Sequence, residues 1–313
     1  MAATASGAGG GSAKVDSAVV LRAWLAPANL AMAGLLLVGI AAMFGDWFLR
    51  QHQFSSRYAA DWGHAYMVPL ISAYVVWTRR DEIARLKPSV FWPGMLPLLL
   101  GLAVYILFTL MDAPGIHMFQ GFAITLCVAG LAMLLLGPAI FGVVAFPIMY
   151  LAFGVTLADK LMGMITFQLQ ILATKGDWLT LNMFGLSTDI MGNALTMRHN
   201  GRVVPLNVAE ACAGMRMVIA FLALGVAVAF LSCPRWWQRV ALVLMAVPVA
   251  LATNVLRVVT LAVMSLVNPG FAAGDAHTLI GVLWLVPAFL AYMGIVWLLK
   301  RIVREPATKG AKA

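Results

Sequence analysis

Cys212 and Arg216 stand four residues apart in Ala211-Cys212-Ala213-Gly214-Met215-Arg216, at the head of an apolar run from Met217 to Leu231. Residues at i and i+4 share a helix face, so the thiol and the guanidinium look into one space. A neighbouring cation favours the thiolate, which is the nucleophilic form of cysteine. The plain alternative is a small-residue packing helix whose arginine snorkels to the interface. A second polar pair, Asn254 and Arg257, lies at i and i+3 inside another apolar run, flanked by Thr253 and Thr260. An arginine that deep costs at least about 2.5 kcal/mol and needs an anion, a thiolate or carbonyl oxygens beside it. His277 follows the breaker-rich stretch Asn268-Pro269-Gly270 and opens the last apolar run. A histidine titrates near neutral pH and serves as general acid or base. Taken singly, such a histidine is more often a solvated helix-start residue, and this holds with more force for His64 in Trp62-Gly63-His64.

The elements that position these groups are membrane helices. Of 313 residues 63% are hydrophobic and 11% charged, far from the mix of soluble domains. The net charge of +9 is spread over short loops and tails, so it signals topology and gives no reason to expect a nucleic-acid partner. Three cysteines do not make a disulfide framework, and Cys127 and Cys233 read as apolar fillers. No HExxH or paired-cysteine spacing points to a metal, and no phosphate-binding glycine loop or GxSxG elbow is present, so neither a metal nor a cofactor is expected.

The chain reads as an all-α polytopic membrane protein with about eight transmembrane helices, near 30–49, 62–78, 94–111, 118–136, 139–157, 209–231, 240–267 and 278–299. Residues 1–28 read as a disordered cytoplasmic leader, 29–299 as the transmembrane domain, and 300–313 as a basic cytoplasmic tail. A small extracytoplasmic segment, 158–208, separates helices five and six. It starts as an amphipathic interfacial stretch and contains a hairpin over Leu195–Leu206, turning at Asn200-Gly201 or His199-Asn200. With both termini inside, 13 of the 21 Lys and Arg residues fall on the cytoplasmic side and 6 outside, as the positive-inside rule requires. That arrangement puts Cys212, His64 and His277 on one outer face.

Four blocks, in order, resemble the exosortase/archaeosortase family of membrane cysteine transpeptidases. They are Gly63-His64-Ala65-Tyr66 running on to Arg79-Arg80, Ala211-Cys212-Ala213-Gly214-Met215-Arg216, Asn254-Val255-Leu256-Arg257, and His277. Ala65 departs from the glycine that the family shows after the histidine. The resemblance implies a catalytic triad of Cys212, Arg257 and His277, with Arg216, Asn254, His64 and Gly214 supporting it or binding substrate. It implies exported protein substrates whose C-terminal tail carries a Pro-Glu-Pro-like motif, a transmembrane helix and a basic cluster. The cut end passes to an acceptor such as a membrane lipid. By helix rise Arg257 lies about 15 Å below the end of its run and Cys212 about 6 Å inside its own, so Arg216 and Arg257 both stand as partners for the thiol. A rival class is a polysaccharide-export or transporter component with an anion pathway lined by Arg216 and Arg257. Transporters favour inverted repeats and midplane polar sites, whereas these residues gather at one face.

Overall fold

The computed structural model describes residues 26–111, 115–192, 194–199, 202–206, 215–267, 279–280 and 283–302. Most of the expected leader and all but three residues of the expected basic tail therefore lie outside the described residues. The described residues fall into two units. The first draws on Met1–Gln53, Ser72–Met111 and Phe119–Ala152, the second on Phe54–Ile71, Asp112–Met118 and Phe153–Ala313.

The chain runs through α1 (Pro27–Arg57), α2 (Ala59–Trp62), a 3-10 turn (Gly63–Tyr66), α3 (Met67–Thr78), α4 (Arg80–Arg85), α5 (Met95–Leu110) and α6 (Ile116–Tyr150). It continues with α7 (Asp159–Met183), strands β1 (Ser187–Met191), β2 (Ala194–His199) and β3 (Arg202–Leu206), then α8 (Met215–Ser232), α9 (Trp236–Val267) and α10 (Leu285–Ile302). Five of the described helical stretches are long and apolar enough to cross a membrane: 27–57, 92–110, 116–154, 236–266 and 285–302. Eight were expected, and the difference has physical sources. The 116–154 stretch is one continuous run broken at Gly137, whose φ of 79° and ψ of 169° lie outside the helical region. Pro138 removes a donor there and forces its predecessor to extend, so the two expected helices exist as its halves. The 62–78 segment is divided into a short helix, a 3-10 turn and a 12-residue helix. Within 209–231 the described apolar helix is Val218–Ser232, and the expected start of that span, 209–214, lies outside the described residues.

In the first unit α5 lies antiparallel to the leading half of α6 at backbone-to-backbone distance. A Cβ added at Gly94 would meet the backbone of Leu134, one at Gly130 the backbone of Leu98, and one at Gly101 the Cys127 sulfur at 2.7 Å. Small residues let apolar helices approach so closely, where packing replaces the hydrophobic drive that lipid cannot supply. The Cys127 thiol donates to the Leu98 carbonyl at 3.7 Å, and Phe44 meets Tyr105 edge-on at 4.7 Å.

The fold departs from all-α in the second unit, where residues 187–206 form a three-stranded antiparallel meander in the order β1-β2-β3. His199 pairs with Arg202, and the expected turn residues between them, Asn200 and Gly201, lie outside the described residues. Strand β2 alternates as a half-buried strand should: Leu195 and Met197 are buried while Arg198 is exposed. The expected interfacial stretch is the start of a 25-residue helix, α7. It ends in a Schellman motif: Leu186 N–H reaches Leu181 O, Gly185 N–H reaches Asn182 O, and Gly185 has a φ of 79°. The accompanying contact of Leu186 with the cluster containing Leu181 is the apolar half of that motif.

Helix α9 is the hub of this unit, packing against α7, α8 and α10. Its first half shares a buried cluster with α8 and α10 through Val218, Phe221, Leu242, Ala246, Ala250, Ala288 and Tyr292. Its second half shares another with Leu181, Leu195, Met197 and Ile280 through Val258, Val259, Leu261 and Ala262. Replacing Gly130 by valine should force α5 from α6 and cost about 1–3 kcal/mol. Thermal unfolding of the protein in detergent reads this as a lowered Tm, whereas Gly34→Ala, in open space, leaves Tm at or slightly above the parent value.

Candidate active site

Asn254 and Arg257 occupy one face turn of α9. Asn254 is fully buried; Arg257 is half-buried, with its Nε atom inside. Each takes part in further polar or ring contacts. The flanking threonines are satisfied on their own helix, Thr253 Oγ1 donating to Val249 O at 2.8 Å and Thr260 Oγ1 to Leu256 O at 2.7 Å. This back-bonding to the preceding turn removes them from the demand for partners.

The register of α8 on α9 fixes what comes level with that pair. A three-residue link joins them as an antiparallel hairpin, and a Cβ at Gly225 would stand 3.4 Å from that of Ala246. Counting residue for residue from this approach, Met215, the first residue of α8, comes opposite Leu256. Arg216 is thus in the first turn of α8, at the height of the Asn254–Arg257 turn. Cys212 and Gly214 lie outside the described residues, three and one positions before that turn along the chain. His277 is also outside them. Ile280, three residues after it, is buried with Val258, Val259, Leu261 and Ala262, the α9 turn next to Arg257.

His64 belongs to the same unit. It sits in the 3-10 turn that follows α2, and α2 packs against α8. The imidazole lies 5.8 Å from the Trp62 ring, tilted by 32°, and it engages in further contacts. Of the expected site residues the structure describes, Asn254, Arg257 and His64 are therefore grouped in one unit around α8 and α9, with the backbone of Arg216.

One polar residue escaped the sequence reading. Asp177 on α7 is wholly buried, and neither carboxyl oxygen has a hydrogen-bond partner among the described residues. Gln170 and Thr174 are buried on the same face, at i−7 and i−3. That helical spacing was the available signal. Burial pushes the Asp177 carboxyl up to about 8, because a charge is far costlier than a neutral acid away from water. α7 is not among the helices apolar enough to span.

A raised carboxyl has a defined effect on stability. Between the ordinary value of 3.8 and about 8, the folded chain holds a proton that the unfolded chain has released, so stability falls as pH rises. The contribution is fully present below about pH 3.8 and lost on passing about pH 8. Melting curves recorded from pH 5 to 9 should show this decline, and Asp177→Asn should flatten it.

The family model for transmembrane exosortase matches residues 55–298. No curated protein and no solved structure gives a match. The matched stretch contains His64, Cys212, Arg216, Asn254, Arg257 and His277 and takes in most of the chain, and the chain belongs to the transmembrane exosortase family.

Proposed function

We propose that this protein is a membrane-embedded cysteine transpeptidase that cuts C-terminal sorting tails from exported proteins and transfers the new end to an acceptor. The observation that carries this reading is the Asn254–Arg257 turn, level with the start of the helix that Cys212 leads into. In this scheme the Cys212 thiolate attacks the scissile carbonyl and the oxygen becomes an oxyanion. Collapse breaks the C–N bond and leaves a thioester on sulfur, while His277 gives its proton to the departing amine. His277 then takes a proton from the acceptor nucleophile, which attacks the thioester and returns the thiolate. Water in that role gives hydrolysis.

Arg257 stabilises the thiolate and the oxyanion, and Asn254 steadies the turn that carries it. Arg216 holds the acidic residue of a Pro-Glu-Pro-like motif, Gly214 gives the substrate close access to backbone, and His64 supports the site from the α2 side. The protein lies in a prokaryotic cytoplasmic membrane with N and C termini inside and eight spans. The 158–208 segment and the site face outward.

The test follows one membrane-anchored substrate with a Pro-Glu-Pro-type tail by gel mobility. Wild type shortens it and Cys212→Ala leaves it full length; equal shortening by both would remove the thiol from the mechanism and favour a transport role. Arg257→Ala should slow processing about 100- to 1,000-fold, the worth of one well-placed oxyanion donor. Arg257→Lys keeps the charge without the planar fork and should fall between the two.

A further inference from the structure

The carboxyl of Asp177 has no part in the thiol chemistry above, yet the fold keeps it at a cost. A buried polar group without a partner is unfavourable, and this one has both oxygens unmet among the described residues. Its place is fixed by its neighbours. A Cβ on Gly176 would come within 2.8 Å of Val255, the residue between Asn254 and Leu256 in the motif. Leu181, one turn further on, is buried with Val258 and Val259. α7 and α9 therefore run side by side in the same direction, and Asp177 falls at the level of the Asn254–Arg257 turn. On the sheet side, Trp178 Nε1 donates to Thr188 O at 3.1 Å and Asn182 Nδ2 to Thr188 Oγ1 at 2.7 Å. These bonds hold α7 against β1, so its rotation is set and the carboxyl is kept inward.

We propose that Asp177 is a substrate-binding residue: its carboxyl pairs with the C=O and N–H of one extended residue of the exported protein's tail, beside the Asn254–Arg257 turn. The proposal rests on the sorting reading and names a contact within it. An extended residue presents its own N–H and C=O to the same side, which matches the one donor and one acceptor of a protonated carboxyl. A carboxylate only accepts and would leave the peptide carbonyl unmet.

The charged groups on the surrounding elements include Arg239 and Arg257 on α9, Arg216 on α8, Asp189 on β1, Arg198 on β2, and Asp159, Lys160 and Lys175 on α7 itself. Asp189 and Arg198 pair with each other at 3.1 Å on the exposed face, and Lys175 is exposed. Burial alone accounts for the protonation of Asp177.

The experiment uses the full chain in lipid vesicles and a tail peptide that carries a Pro-Glu-Pro motif and a photo-crosslinker. Capture is measured in the Cys212→Ala background, so that no turnover intervenes, with processing by the Cys212 protein read in parallel. Asp177→Leu should weaken capture about 10- to 100-fold, the effect of leaving the peptide's donor and acceptor unmet, without lowering Tm. Asp177→Asn, which retains one donor and one acceptor, should restore capture to within about fivefold. Raising the pH from 6.5 to 9.5 should weaken capture by the Asp177 protein and leave capture by the Asp177→Asn variant unchanged.

Capture by Asp177→Leu equal to that of the parent overturns the proposal. So does failure of Asp177→Asn to rescue. Capture that depends on Asp177 without any cutting by the Cys212 protein sinks the protease reading and leaves this contact standing. No capture by the parent overturns both.

Discussion

The buried hydroxyl of Tyr292 on α10 donates to the carbonyl of Leu242 on α9 at 2.9 Å, and the register of the second unit depends on it. A tyrosine hydroxyl shut away from water needs such a partner. Gly225 on α8 makes room for it, since a Cβ there would stand 2.5 Å from the Tyr292 oxygen. One contact thus pins three helices at one height. Its energy is modest, about 0.6 kcal/mol on average for hydrogen bonds between membrane helices. Its geometric consequence is larger. A slip of α8 by one residue would move its first turn by about 1.5 Å and rotate it by about 100°, taking Arg216 off the Asn254–Arg257 turn.

Along α9 the side chains are sorted into layers. Leu242, Ala246 and Ala250 belong to the cluster with α8 and α10; Val258 to Ala262 belong to the cluster with α7, β2 and Ile280. Between these apolar layers lie Asn254 and Arg257, with Asp177 brought to the same level from α7. Two threonines in the same stretch are neutralised by their own backbone, so the layer holds few polar groups. Asn254 and Arg257 engage in further contacts, while both carboxyl oxygens of Asp177 are unmet among the described residues. Polar groups are costly in such surroundings, and their gathering into one layer is what separates a site from scattered helix-capping residues.

Much of this was legible from residue types. Gly137-Pro138 marked the break in α6 because proline lacks a donor and glycine tolerates positive φ. Asn200-Gly201 marked the β2–β3 link. Asn254 and Arg257 stood out because apolar runs seldom carry them. α7 was harder. Its second half, with Lys175, Gly176 and Asp177, has the composition of a connection, and only its beginning was read as helix. Tertiary packing overrides that composition: the missing Cβ of Gly176 admits Val255, and Trp178 and Asn182 secure β1. Strand β1 went unread for the same reason, since Asp189 weakens the pattern until Arg198 and β2 are beside it. Asp177 itself was marked only by its helical spacing from Gln170 and Thr174, a faint signal in a segment that reads as a connection.

The layered arrangement also resolves the depth of Arg257. α9 continues ten residues past it to Val267, about 15 Å by helix rise, so the guanidinium is not at the helix end. The described part of α8 starts at Met215, which is level with Leu256. The two chain segments that lead to Cys212 and away from His277 meet α9 beside Arg257, one at Met215 and the other at Ile280. The upper part of α9, packed with Leu195, Met197 and Ile280, forms a wall beyond that level. On the proposed mechanism such a recessed layer serves to keep water from the reacting atoms, and in low dielectric one guanidinium acts on a developing negative charge far more strongly than it would at a wet surface. On the proposed reading, in which Cys212 acts as a thiolate, that depth is an advantage, and the ten residues of α9 beyond Arg257 provide it.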